Sequence, residues 1–443
     1  MDPLLTGLIG VILLFVLLAA GVHIGFSLMI SGFIGLSIIL GDFEPAIKMT
    51  VTAFYHRITS PVLVTLPLFV LMGYLASGGG ISRNIYNSLS LWFGRFKSGL
   101  GIATVFACTA FGTVCGSSLV TAAVFTKICA PEMRRCGYEK KLAYAICASA
   151  GAIGMLIPPS ILAVVYGILS GESIGKILMA GVAPGLLLTI GFSLAIVIIG
   201  MIKPSSIKAV ARPSVAWSER IKSLKDWWSV VIVSIVIFGG LYGGVFSPSE
   251  ASAVAAFLLL IIYLFIAIVG KEGGEKKSEL MGIFSETAVT SAMVFLVLGS
   301  ATVFSNFITM AGLTKKLLNL IMGSQVSPFV IVLIIIFFIL ILGCFLDSTS
   351  ILCITIPVFN PIIKAIGIDP IWYATVIILS VEIGLITPPF GMNVFAAKGA
   401  AEPDVKMEDI FGGVIPFFIV MMLVLILLLA VPQISLFFPR FVE

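Results

Sequence analysis

The sequence predicts an all-α, polytopic membrane protein built from two repeated halves. Three observations carry that prediction. Of 443 residues, 60% are hydrophobic and only 11% charged, where soluble domains carry about 25% charged residues. Apolar runs near residues 4–20, 177–202, 228–246, 251–269, 328–346 and 411–437 are long enough to cross a hydrocarbon core of about 30 Å. Finally, the glycines and prolines that interrupt such runs recur at a nearly constant offset. Those interruptions also exclude a β-barrel, whose strands would alternate with period two.

Taken in order, the first run lacks a basic start and a small-residue cleavage site, so it reads as a retained span. Residues 1–80 form a first set of spans, with a weakly amphipathic stretch from Pro45 to Ile58. Residues 81–202 form the first repeat. A basic linker, 203–228, follows with Lys203, Lys208, Arg212, Arg220, Lys222 and Lys225, and the positive-inside rule places it in the cytoplasm. Its end puts Trp217, Ile221, Leu224 and Trp228 on one helical face between basic residues, the pattern of a helix in the membrane interface. Residues 229–310 form a second set of spans. They turn at Phe246–Glu250 and carry a charged loop near Lys271–Glu279 on the linker's side. Residues 311–443 form the second repeat. The net charge of +5 lies in loops, which suits membrane topology and not nucleic-acid binding.

The seven cysteines lie in apolar segments, among them Cys108, Cys115, Cys129 and Cys136. They read as small packing residues. The two histidines, His23 and His56, are too far apart to complete a zinc site with them.

A shift of 230 places Ser118 on Ser348, Pro131 on Pro361, Gly137 on Gly367 and Gly154 on Gly384. It also places Pro158-Pro159 on Pro388-Pro389, Glu172 on Glu402 and Lys176 on Lys406. A shift of 232 aligns Gly181-Val-Ala-Pro184 with Gly413-Val-Ile-Pro416. Chance matches among apolar residues are common; matches of Pro-Pro, Gly and Pro at one shift are not. Duplicated halves with breaks in matching positions are the pattern of secondary transporters. The expected arrangement is inverted, although the matches do not themselves fix the orientation.

Two kinds of interruption carry chemistry. Gly112-Thr-Val-Cys-Gly-Ser-Ser-Leu-Val-Thr-Ala122 lies between apolar stretches too short to span, so residues 97–135 read as a re-entrant hairpin turning at Gly116-Ser117-Ser118. Its counterpart, 328–366, turns at Gly343-Cys-Phe-Leu-Asp-Ser-Thr-Ser350. Such turns leave backbone groups unpaired at membrane depth, which is tolerated only inside protein or at a watery cavity. The second hairpin holds Asp347 where the first holds Ser117. A carboxylate at the bilayer centre costs at least about 2.5–3.5 kcal/mol, and no Lys or Arg lies within about fifteen residues of it, so a bound cation is the leading explanation. Each hairpin is followed by a Gly-x-x-x-Pro-Pro break: Gly154-Met-Leu-Ile-Pro-Pro-Ser160 and Gly384-Leu-Ile-Thr-Pro-Pro-Phe-Gly-Met-Asn393. Paired prolines remove two donors and free the carbonyls one turn earlier. Freed carbonyls beside Ser, Thr and Asp suit Na⁺. Plain kinks and a Gly/Ser helix-packing face are the structural alternatives. Glu382 is less telling, since it sits either within a span or at a helix end.

In this combination the chain resembles the large membrane subunit of tripartite ATP-independent periplasmic (TRAP) transporters over essentially its whole length. The resemblance rests on Pro67-Leu-Phe with Gly73, Gly116-Ser-Ser, Ile157-Pro-Pro-Ser, Asp347-Ser-Thr-Ser, and Thr387-Pro-Pro-Phe-Gly with Asn393. It implies an elevator mechanism in the bacterial inner membrane, in which a transport domain holding both hairpins slides against a scaffold. It implies Na⁺ as coupling ion, a separate small membrane subunit of about four helices, and a periplasmic substrate-binding protein. The implied cargo is an organic acid, such as sialic acid or a four-carbon dicarboxylate. Carried over, one sodium site falls at Ser117, Ser118, Gly154 and Pro158. The second falls at Asp347, Ser348, Thr349, Gly384, Thr387 and Pro388. The substrate carboxylate falls near Ser118, Thr121, Ser348 and Asn393. The competing functions are a membrane-embedded enzyme, for which no metalloprotease or intramembrane-protease motif is present, and a passive channel, which two broken-helix sites suit less well.

Overall fold

The computed structural model describes residues 3–208, 216–269, 273–323 and 326–441. The middle of the basic linker, with Arg212, and Lys271 of the second charged segment lie outside them. Among the described residues the chain is helical, and its only β feature is one isolated bridge, Tyr138 to Ile207. Among the described residues seven helices are long and apolar enough to cross a membrane, or eight if one bent pair counts as a span.

The first set of helices comprises α1 (Pro3–Ala19), α2 (Ile24–Leu40), α3 (Phe43–Ile58) and α4 (Thr65–Gly78). After α5 (Ile81–Phe93) come the hairpin arms α6 (Gly99–Cys115) and α7 (Ser118–Arg135). The broken helix follows as α8 (Lys140–Gly151), α9 (Ile153–Leu156) and α10 (Ile161–Ser170), then α11 (Ile174–Ala180) and α12 (Val182–Ile202). The linker leads through α13 (Trp217–Ser223) into α14 (Trp228–Tyr242), α15 (Pro248–Val269) and α16 (Gly273–Met310). The second half repeats the order. It has α17 (Leu313–Gly323), hairpin arms α18 (Pro328–Gly343) and α19 (Ser348–Ala365), and broken helix α20 (Pro370–Gly384) and α21 (Met392–Gly399). It closes with α22 (Met407–Ala430) and α23 (Gln433–Leu436).

Two readings need correction. Much of the charged loop expected near Lys271–Glu279 is helix: α16 begins at Gly273 and runs for 38 residues. The stripe from Trp217 to Trp228 does not lie on one continuous α-helix, because Leu224–Trp227 tighten into a 3₁₀ turn. Trp217, Ile221, Leu224 and Trp228 are nonetheless all exposed, as an interfacial segment requires, and the Arg220 guanidinium sits 5.2 Å over the Trp217 ring. Phe43, Ile47, Val51 and Tyr55 form a second exposed apolar stripe on α3.

Packing joins the halves reciprocally. Each half-helix that follows a Pro-Pro break lies on the second hairpin arm of the opposite half: α10 packs on α19, and α21 on α7. The α1–α4 group packs with α15 and α16, and meets the hairpins through α4 on α6 and α16 on α19. Gly73 permits the first of these contacts, since a Cβ there would stand 2.8 Å from the Cys115 carbonyl oxygen.

Charged pairs follow the same exchange. At the 230-residue offset Arg134 falls on Lys364, and Glu172 on Glu402. In space Arg134 pairs with Glu402 and with Asp404, the latter at 2.8 Å, while Lys364 pairs with Glu172 at 2.6 Å. The base ending each hairpin thus meets the acid ending the opposite half-helix. Lys140 adds a bridge to Asp409 at 3.0 Å, and hydrogen bonding from Arg134 holds the Asp404 carboxyl below its usual range. The matched Glu172 and Glu402 are therefore a pair of cross-half ties. Partly exposed pairs are worth about 0.2–1 kcal/mol. Lys364→Glu should therefore lower the melting temperature slightly, and adding Glu172→Lys should restore it. A double variant no better than the sum of its single ones would show that the pair contributes nothing.

Candidate ion and substrate site

Both hairpin tips are built as helix N-caps. Gly116 takes a left-handed φ of 65°, and a Cβ there would stand 2.5 Å from the Pro159 carbonyl oxygen, so only glycine fits. Ser117 then caps α7, its hydroxyl accepting from the Val120 N–H at 3.5 Å. In the second hairpin Asp347 caps α19. Its carboxylate accepts from the backbone N–H groups of Thr349 (3.1 Å) and Ser350 (3.2 Å), and the Ser350 hydroxyl also donates to it. Asp347 is therefore not the bare carboxylate that its sequence neighbourhood suggests. The helix N-terminus and Ser350 already partner it, as the partial positive charge of a helix start favours. A cation would add to these donors, through the lone pairs they leave free.

The tips dock on the broken helices. The Ile161 N–H, two residues after the Pro158-Pro159 break, donates to the Gly116 carbonyl at 3.2 Å. The Phe390 N–H, just after Pro388-Pro389, donates to the Cys344 carbonyl, also at 3.2 Å. Both Pro-Pro bonds are cis. Behind each tip lies a glycine pair: a Cβ on Gly112 would stand 2.7 Å from the Gly154 Cα, and one on Gly343 would stand 2.7 Å from the Gly384 Cα. Glycines at 154 and 384 thus let two backbones touch. At the second break the carbonyls that the prolines cannot pair are taken up by later residues, Gly384 O accepting from the Thr387 N–H (2.9 Å) and Leu385 O from the Asn393 N–H (3.0 Å).

Of the first proposed ion set, Ser118, Gly154 and Pro158 are buried and Ser117 is half-buried. Of the second, Ser348 and Gly384 are buried, Asp347, Thr349 and Thr387 are half-buried, and Pro388 is exposed. The first break is wholly enclosed and the second opens to the surface, although their sequences match. Thr121 is fully buried and donates to the Ser117 carbonyl at 2.7 Å. Thr387 donates to the Ile383 carbonyl at 2.6 Å.

The residue that sequence reasoning undervalued is Glu382. It is 0% exposed and ties the halves together at their centre. Ser118 Oγ donates to its Oε1 at 3.2 Å, and Asn393 Nδ2 donates to its Oε2 at 3.3 Å. A carboxylate in the last turn of an apolar helix, just before a Gly-x-x-x-Pro-Pro break, was the available signal. Ser118 and Asn393, both assigned to substrate, thus come together on Glu382.

A wide cavity of about 850 Å³ lies between α4, α5, α15 and α16 on one side and α7 on the other, with Arg83, Lys127, Glu279 and Glu286 on its walls. Another, of about 550 Å³, is lined by Arg57, Ser60, Glu172 and Ser249. The Arg57 guanidinium donates to Thr302 Oγ1 (2.8 Å) and to the Ile168 carbonyl at the end of α10 (3.1 Å).

Comparison with known proteins agrees with this arrangement. The family described as "Tripartite ATP-independent periplasmic transporter, DctM component" matches residues 11–434. The chain is 32% identical over 396 residues to the C4-dicarboxylate TRAP transporter large permease DctM of Pseudomonas aeruginosa, covering 89% of each chain. It is 30% identical over 423 residues to the ectoine/5-hydroxyectoine TRAP transporter large permease UehC of Ruegeria pomeroyi, covering 95% of this chain and 96% of that one. In fold it resembles the YdaH transporter of Alcanivorax borkumensis, with a TM-score of 0.63 at 16% identity over 90% of this chain and 91% of that one. These relatives are transporters and not enzymes. With its apolar helices, interrupted spans and match from residue 11 to residue 434, the chain belongs to the DctM family of TRAP transporter large permeases, multi-pass proteins of the inner membrane.

Proposed function

We propose that this permease carries out Na⁺-coupled uptake of an organic acid by an elevator motion. The transport domain comprises the two hairpins and two broken helices (81–202 and 311–443). The scaffold comprises residues 1–80 and 229–310. The observation that carries this reading is the doubled tip-and-break unit: a capped hairpin tip docked on a Pro-Pro break behind a glycine pair. Each unit gathers hydroxyls and backbone carbonyls, whose remaining lone pairs give the oxygen-only donor set that a hard cation takes. Ser117, Ser118, Gly154 and Pro158 would serve one ion. Asp347, Ser348, Thr349, Gly384, Thr387 and Pro388 would serve the other. Substrate binds near Ser118, Thr121, Ser348 and Asn393.

The 850 Å³ cavity lies along α7, whose far end at Arg134 is close to the turn that the linker touches. If the linker is cytoplasmic, this conformation opens inward, and Arg57 bound to the end of α10 helps to close the other side. The family is tripartite by description. The partners proposed are a small membrane subunit of about four helices and a periplasmic binding protein that delivers the acid. The two relatives above are named for C4-dicarboxylate and for ectoine; the cargo proposed here is a small organic acid, with sialic acid and four-carbon dicarboxylates both candidates. The test is uptake into proteoliposomes holding this chain and its small subunit, with ligand-loaded binding protein outside. Uptake should follow an inward Na⁺ gradient and stop when an ionophore collapses it. Uptake indifferent to Na⁺ would overturn the coupling, and steady single-channel currents would replace the elevator with a pore.

A further inference from the structure

We propose that Glu382, Asn393 and Ser118 form a third cation site, a Na⁺ site between the two halves that shares Ser118 with the first of the two sites at the Pro-Pro breaks and holds an additional ion. The proposal rests on the Na⁺-coupled reading above and deepens it. Three observations support it.

The first is charge. Glu382 is completely buried, its hydrogen-bond partners are a hydroxyl and an amide, and among the described residues no Lys, Arg or His forms an ion pair with it. Two neutral donors compensate a buried carboxylate poorly, and such a group favours an opposite charge beside it. The second is an unused acceptor. Asn393 is also 0% exposed, and its Oδ1 has no hydrogen-bond partner. Buried amide oxygens are rarely left so. A half-turn of the amide about its Cβ–Cγ bond exchanges Nδ2 and Oδ1, which brings that oxygen to the carboxylate edge. The third is spacing. Ser118 Oγ and the Asn393 amide stand 3.2 Å and 3.3 Å from the two carboxylate oxygens. Ligands of a cation held at about 2.4 Å stand about 3.4 Å apart in an octahedral shell, so the groups need only small shifts to become ligands.

The location gives the site a role. Ser118 belongs to the first hairpin tip, while Glu382 and Asn393 flank the second break. An ion there would fasten one half to the other and turn the Ser118 hydrogen and the Asn393 N–H₂ away from the carboxylate, freeing both as donors for a substrate carboxylate. Without it, the carboxylate occupies those donors. Ion binding would thus precede substrate binding for a reason that the geometry supplies.

The experiment is equilibrium ²²Na⁺ binding to the purified full-length chain, for the unmodified protein and for Glu382→Gln, with the Hill coefficient of Na⁺-driven uptake measured on both. The expected result is the loss of one Na⁺ per chain and a Hill coefficient lower by about one, with the remaining ions retained. An unchanged ion count in Glu382→Gln overturns the proposal. If pH dependence of uptake vanishes at the same time, the group carries a proton instead. Should Glu382→Gln fail to give a monodisperse protein, Glu382→Asp keeps the charge but draws it back; it should keep the count and weaken apparent Na⁺ affinity several-fold, and unchanged affinity overturns the proposal. Absence of Na⁺ binding in the unmodified chain refutes the coupling reading itself, whereas a full complement in Glu382→Gln refutes only the third site.

Discussion

Asp347→Ala should abolish Na⁺-dependent uptake in proteoliposomes while leaving a folded protein. Two effects are superimposed in that variant, and the geometry separates them. Asp347 caps α19 through the N–H groups of Thr349 and Ser350, and losing a cap costs about 1 kcal/mol. It is also the one acid at either hairpin tip, and a charged ligand is worth about 1.5–3 kcal/mol, or about ten- to a hundredfold in apparent Na⁺ affinity. Asp347→Ser isolates the second effect, because it installs the residue that caps the first hairpin, where Ser117 already does this work. Asp347→Ser should melt close to the unmodified protein yet need at least about tenfold more Na⁺ for half-maximal uptake. Normal uptake and Na⁺ dependence in Asp347→Ser would reduce Asp347 to a helix cap and remove it from the second ion site.

The second large effect concerns the glycine pairs. A Cβ on Gly384 would stand 2.6 Å from the Gly343 Cα, and one on Gly154 would stand 2.8 Å from Thr121 Oγ1. Overpacking a close-packed interior costs about 1–3 kcal/mol, and at Gly384 the obstacle is backbone, which has no rotamer to give way. Gly384→Val should therefore abolish the monodisperse peak in detergent. Gly384→Ala should leave less protein, with uptake near background. Gly154→Ala should be milder, since a threonine side chain can turn, but should still weaken Na⁺ binding, because Thr121 packs beneath the first tip. Gly412→Ala provides the contrast. It lies inside α22 with nothing within 4 Å of its Cβ and should be neutral or slightly stabilising. Equal tolerance at 384 and 412 would mean that the tip and the broken helix are not held in contact.

How much of this was readable in advance differs by feature. Membrane class, hairpins and breaks were legible because each is written locally. Apolar runs fix helices, a Gly-Ser-Ser turn between two short runs fixes a hairpin, and Pro-Pro cannot continue a helix. Around the two tips the helices run Gly99–Cys115 and Ser118–Arg135, and Pro328–Gly343 and Ser348–Ala365. The charged segment after Lys271 was misread for a related reason, since polar composition resembles a loop although Glu and Lys are good helix formers.

What the sequence by itself determined, then, is the inventory of parts: two capped tips, two breaks, and the glycines that let backbones touch. Each is a matter of backbone chemistry within a few residues. What only the tertiary structure decided is which parts meet. The exchange of α10 onto α19 and of α21 onto α7, and the crossed pairs Arg134–Glu402 and Lys364–Glu172, join residues far apart in the chain. The most consequential contact is Ser118 with Glu382, separated by 264 residues. No local pattern encodes that separation. A glutamate near a helix end is unremarkable in one dimension, and it gains its meaning from complete burial between two halves that the fold brings together.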